Sequence, residues 1–297
     1  MAFATDEAYL SFSARAGDNK LIPFPARMMI GADESCRERT RASCLMPHAS
    51  PTNALAPMVA PIPSRHRFYV AMACTGALIA AIGFSRRYLL PLAAGTFTAP
   101  AIVHVHGIIT FTWIAFVIMQ AVLVFSGRSA LHRSIGMAGI ALGTLLVYTA
   151  AQVAILQLAR ELRDSGPSPR EFVATLLSLP LMVTAILAFG FANVSRPEIH
   201  KRLMMLATFV ILTPALARII QLLDGSLSRL MRNDLAGLAS DALVVVAIAY
   251  DVRRRGKVHP AYLVGGSCIV LVQAVVLAAR STSFWYETTD WLASLAK

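Results

Sequence analysis

The chain has 297 residues, 57% hydrophobic and only 14% charged, with a formal net charge of +11. A soluble domain carries roughly a quarter of its residues as charges, so this composition excludes an ordinary soluble globule. Four cysteines without a CxxC pair exclude a disulfide framework or a structural zinc site.

In chain order, residues 1–61 come first. They hold six Lys/Arg and six Asp/Glu, with Pro, Ser and Gly scattered and no apolar period. Such a segment is expected to be disordered. It has neither the basic start and apolar core of a signal peptide nor the acid-poor composition of a transit peptide. Met58 offers a later start. Residues 62–285 are read as the transmembrane domain and 286–297 as a short tail.

Seven apolar stretches follow, at 68–85, 102–125, 134–158, 172–194, 203–223, 235–250 and 261–279. About 20 apolar residues in a helix cross about 30 Å of hydrocarbon. Lipid leaves no partner for an unpaired backbone group, so helices are favoured over open strands. The expected fold is an all-α polytopic bundle of about seven transmembrane helices. The sixth stretch is the shortest.

Seven crossings put alternate connections on alternate faces. The connections on the side of residue 67 hold eleven Lys/Arg and two acids; those on the other side hold nine Lys/Arg and seven acids. The positive-inside rule then orients the N-terminus to the cytoplasm and the C-terminus to the periplasm. The basic residues are split between two faces and form no single stripe. They point to anionic lipid headgroups, with no nucleic acid as partner.

Three connections on the basic side repeat one pattern, Arg-x-x-aliphatic-His: "RSALH" at 128–132, "RPEIH" at 196–200 and "RGKVH" at 255–259. Arg65-His66-Arg67 precedes the first helix similarly. Arg128, Arg196 and Arg255 are read as headgroup contacts. His66, His132, His200 and His259 are read as haem b or metal candidates, against the simpler reading of topogenic charge with interfacial histidine.

The stretch "IVHVHGIITFTWIAFVIMQAVLVF" places two imidazoles inside a membrane-length run. His104 and His106 lie ~200° apart on a helix and cannot chelate one ion. His106 shares a face with Trp113 and Gln120, so it points inward; His104 shares one with Phe111, Ala115 and Ile118 and points to lipid. Gln152, Arg218, Asp241 and Gln273 fall at a similar depth to His106, ~6–9 Å below the same boundary at 1.5 Å per residue. Arg218 and Asp241 are the full charges inside the seven stretches, and intramembrane charges face the interior and pair. The expectation is an Arg218–Asp241 ion pair at the centre of a polar layer with His106, Gln152 and Gln273.

The motifs "HVHG", "GRSALHRSIG", "RPEIHKRLMMLAT" and "YDVRRRGKVHPAYL" resemble those of a family of uncharacterised bacterial seven-helix membrane proteins, over residues 66 to about 285. The resemblance implies a bacterial inner-membrane location and no activity. More loosely, the Leu-His-Arg element resembles DUF2306-type membrane proteins. Comparison with cytochrome b561 rests on histidine content and not on spacing.

Three functions follow as expectations: a transporter- or sensor-like protein whose polar layer binds a small ligand or relays protons, a haem b electron-transfer protein, and a lipid-binding scaffold without chemistry. No GxSxG, Walker loop, HExxH or dinucleotide fingerprint is present to support an enzyme.

Overall fold

The structure is a computed structural model that describes residues 64–165 and 169–294, with side chains from 67 to 162 and from 170 to 294. The expected leader and the side chain of His66 lie outside the described residues. Every regular element among these residues is a helix.

Helix α1 (Ser64–Phe84) runs on through a π-helical turn at Ser85–Leu89 into α2 (Leu90–Ala93). Then come α3 (Ala101–Phe125), α4 (Ser129–Gly136), α5 (Ala138–Ser165), α6 (Pro169–Ala192), α7 (Pro197–Leu223), α8 (Arg229–Arg255), α9 (Pro260–Ala279) and α10 (Ser283–Ser294). Seven spans are long and apolar enough to cross a bilayer: Arg67–Ala93, α3, Ala138–Leu162, Arg170–Ala192, α7, α8 and α9. The protein is an all-α, multi-pass transmembrane bundle.

The element boundaries differ from the expected ones where charge sits at a helix end. The sixth stretch, expected at 235–250, is a 27-residue helix. Its first turns carry Arg229, Arg232 and Asp234, and its last carry Asp251 and three arginines. A hydropathy reading cuts off such ends although the backbone continues. Gly256, at φ 74°, stops the helix by taking the left-handed conformation. The "RSALHRSIG" connection is largely the separate helix α4. Residues 283–294, expected to end the bundle and begin a tail, form α10, an interfacial helix with a fully buried Thr289.

Helix α7 is the central stave. In its most apolar window 56% of the residues are buried, against 22% to 39% in the other six spans. It packs on α1, α6, α8 and α9. A helix that is apolar all round is the kind that can be buried all round. Small residues set how closely its neighbours approach. A Cβ on Gly83 of α1 would lie 2.8 Å from Ala215 Cα, so the two backbones touch there. Gly139 and Gly143 of α5 likewise leave room for the rings of Phe116 and Trp113 on α3.

Consecutive spans alternate direction, so the bundle has two ends. One end gathers the starts of α1, α5, α7 and α9 with the basic connections; we call it the basic-loop face. The other gathers the ends of α1, α5 and α7 and the starts of α3, α6 and α8, and carries α10; we call it the α10 face.

Candidate functional site

A cavity of about 570 Å³ opens in the α10-face half of the bundle. Its deeper wall is apolar, with Leu146, Val153, Leu176, Val183, Val210 and Ile211 from α5, α6 and α7. Its polar groups include Arg87, Arg160, Arg218, Arg229 and Arg232, with His106, Thr110, Gln157, Gln221 and Asn233. No aspartate or glutamate is among the described residues that line it.

Each polar side chain is placed by its helix. His106 enters from α3, and its Nδ1 lies 3.0 Å from Thr149 Oγ1 of α5. Thr149 gives its own proton to Leu145 O at 2.8 Å, so it accepts from the imidazole. That assigns the Nδ1–H tautomer and leaves Nε2 as an acceptor. Thr110 is 3.4 Å from Nε2, but its hydroxyl donates to His106 O at 2.8 Å. Arg218 of α7 donates from Nη1 to Pro214 O at 2.8 Å, and its guanidinium stacks 4.4 Å from the Phe84 ring centroid. Pro214 sits inside α7 and offers the helix no amide proton. Arg229 pairs with Glu161, which also accepts from Gln157 at 2.6 Å. Among the described residues, Arg86, Arg87 and Arg218 have no carboxylate partner.

The expected polar layer divides into three parts. His106 and Arg218 reach the cavity. Asp241 instead accepts from Gln273 Nε2 at 3.2 Å, between α8 and α9. Gln152 is exposed on the outside of α5. The Arg218–Asp241 ion pair is not formed. Equal depth fixes height along a helix but not direction around it. Arg218 faces α1, and Asp241 faces α9. His104 is half-buried and packs on Phe97 and Tyr88, with ring centroids 5.3 Å and 6.3 Å away. It belongs to an aromatic cluster beside the π turn.

The buried ion pair lies at the basic-loop face. Arg202 of α7 donates Nε to Asp251 Oδ2 at 3.1 Å and Nη2 to Oδ1 at 2.5 Å. Its Nη1 reaches Glu198 Oε2 at 2.7 Å, and Lys201 at 2.8 Å and Arg255 at 3.2 Å add two more cations to that carboxylate. The Arg202 and Asp251 side chains are only 2% and 4% exposed. Sequence reasoning missed this pair because Arg202 and Asp251 each fall one residue beyond the expected stretches 203–223 and 235–250. The available signal was an arginine one helix end away from an aspartate on the next helix.

The repeated histidines also part company. His259 caps α9, its Nδ1 accepting from Ala261 N–H at 3.1 Å. Burial lowers its pKa below the usual imidazole value, and the Arg202 and Arg255 cations lower it further. His132 and His200 face each other, with ring centroids 6.5 Å apart and planes at 74°. His200 Nδ1 donates to Gly190 O at 2.9 Å. Burial, then the neighbouring His200, holds His132 below its usual pKa, and its Nδ1 is buried without a partner. Both side-chain atoms of Gln120 are also buried and unpartnered. Of the three loop arginines, Arg128 and Arg196 are exposed, and Arg255 is engaged by Glu198. Among the described residues, no three or more His, Cys, Asp or Glu side chains are grouped to hold a metal.

The two arginines of α7 therefore differ: Arg202 is compensated by Asp251 and Glu198 at the basic-loop face, and Arg218 opens to a cavity at the α10 face. Compared with protein-family models, curated proteins and solved structures, the chain shows no match.

Proposed function

We propose that this membrane protein admits an anionic ligand into the α10-face cavity, as a transporter or a ligand sensor does. One observation carries the reading: arginines and His106 line the chamber, and no described carboxylate does. Cations are costly inside a membrane and mark ligand pathways when they face a cavity. Low-dielectric walls concentrate their field. The test is thermal denaturation of nanodisc-embedded protein across a panel of anions. A rise in melting temperature that is lost in Arg218→Gln supports the reading. Equal melting in all anions sinks it.

The orientation belongs to the same proposal. The protein lies in a bacterial inner membrane with the basic-loop face in the cytoplasm and the α10 face outside, and Arg128 and Arg196 meet anionic headgroups there. Single cysteines introduced at Ala130 and Lys257 in a cysteine-free background should be labelled only after permeabilisation. Labelling of either from outside reverses the assignment.

A second reading, a haem b protein, has the His132–His200 pair behind it. Two imidazoles bound to one iron at about 2 Å place their ring centres near the 6.5 Å separation found. Protein purified from haem-supplied cells should then show a Soret band that His200→Ala abolishes. A featureless spectrum removes the reading.

A further inference from the structure

We infer that the ligand is an amphiphile with a phosphate head and a single apolar chain. The inference rests on the anion-site reading above and names its ligand class. The observation is a second hollow of about 520 Å³, lined by Gly83, Arg86, Arg87, Arg218, Gln221, Leu222 and Gly225. It shares Arg87, Arg218 and Gln221 with the first cavity. The two chambers meet at Arg218, and they differ in chemistry. The first, besides its five arginines, continues inward along an apolar wall; the second has three guanidiniums, two glycines and a single large apolar residue, Leu222.

The π turn carries two of the arginines of this second chamber. The turn at Ser85–Leu89 inserts one residue into the helix, and such turns recur at functional sites. Both arginines line the hollow. Both are exposed just beyond α1, about two turns before the end of the first span. Arg218 is held behind them by Phe84 and Pro214 O.

Three features select the class. A small free anion would have no use for the apolar wall, and its charge would gain nothing from moving past Arg218. A neutral lipid would leave three guanidiniums without an anion. A carboxylate offers two oxygens and fills one guanidinium fork, whereas a phosphate monoester offers three oxygens and nearly two charges for several forks. His106 Nε2, in the first chamber, remains an acceptor for a hydroxyl near the head. The chamber volume lies within the roughly 300–1,000 Å³ of ordinary ligand sites.

The test uses the full chain in nanodiscs and a series of mono-n-alkyl phosphates from eight to sixteen carbons. Alkyl glycosides of the same lengths serve as neutral references, with fatty acids and inorganic phosphate alongside. Binding is read by native mass spectrometry and by melting temperature. Counted from the free aqueous ligand, alkyl phosphate binding should tighten by up to about fourfold per added methylene until the chamber fills, with the glycosides reporting partition into the disc lipid alone. Arg86→Gln with Arg87→Gln, at exposed positions that leave folding intact, should weaken the phosphates at least tenfold and leave the glycosides unchanged. If inorganic phosphate or short anions bind as tightly as the long alkyl phosphates, the amphiphile inference falls and the anion site stands. If fatty acids match the phosphates and the double variant changes nothing, the head assignment falls. If no anion of any kind binds, both fall.

Discussion

Helix α7 carries two arginines, one towards each end of the bundle, and the fold handles them in opposite ways. At the basic-loop face Arg202 is nearly inaccessible and makes a forked contact with Asp251, with Glu198 and Arg255 completing the set. At the α10 face Arg218 is half-buried beside a cavity, with an aromatic ring and a backbone carbonyl as its partners. Both are cations within membrane-length helices. A cation whose charge is cancelled by the fold serves the fold, because removing either partner leaves an orphan charge. A cation left open to a chamber is available to something that is not part of the chain.

The comparison breaks first at Arg202. Arg202→Ala or Asp251→Ala should each destabilise the folded protein by about 3–5 kcal/mol, read as lower melting temperature and lower extracted yield. Arg202→Met with Asp251→Leu should recover most of that loss. If the single losses simply add in the double-mutant cycle, the pair is not coupled and the contrast fails.

Arg218→Gln should be the reverse case, with melting temperature in the absence of ligand nearly unchanged. Affinity for dodecyl phosphate should fall about 10- to 100-fold, the loss of one charged hydrogen bond worth about 1.5–3 kcal/mol. A large loss of stability with binding intact would make Arg218 another structural charge.

Acid should act on the basic-loop face through its histidines. His132 and His259 have lowered pKa values in the fold. The unfolded chain therefore takes up protons first, near the ordinary histidine value of about 6.5. Stability is full above that value and declines as pH falls through it towards the folded pKa values. His259→Asn, which retains a capping oxygen, together with His132→Asn should flatten the fall in melting temperature between pH 7.5 and 5.5. An unchanged slope would place the acid sensitivity elsewhere.

The smallest effect is expected at the remaining intramembrane acid. Asp241→Asn keeps an oxygen for Gln273 and should change stability by no more than about 0.6 kcal/mol, the ordinary scale of an interhelical polar contact. It should not change dodecyl phosphate binding. A large effect on binding would connect Asp241 to the cavity and revive a continuous polar layer.

The seven spans were legible because length and apolarity report membrane crossing directly. The inward face of His106 was legible because the positions of Trp113 and Gln120 follow the helical period. The partner of Arg218 was not. Depth can be counted along one helix, but the angle at which two helices face each other depends on packing, here on Gly83 against Ala215 and on the position of α7 among four neighbours. Arg202 and Asp251 escaped for a different reason. Charge itself ended the apolar stretch on which the reading relied, so the most deeply buried ion pair looked like loop. The Arg86–Arg87 chamber lies along a π turn, and no composition signal marks that insertion.

Helix α10 has a consequence for the order in which the molecule is assembled. Trp285 Nε1 donates to Arg170 O at 2.7 Å, and Arg170 reaches Asp290 across 120 residues of sequence. When α6 first enters the membrane, neither partner has yet been synthesised. The start of α6 must wait at the water boundary, with its arginine hydrated, while α7, α8 and α9 are made and inserted. Closure of this corner therefore comes after the synthesis of α7, α8 and α9.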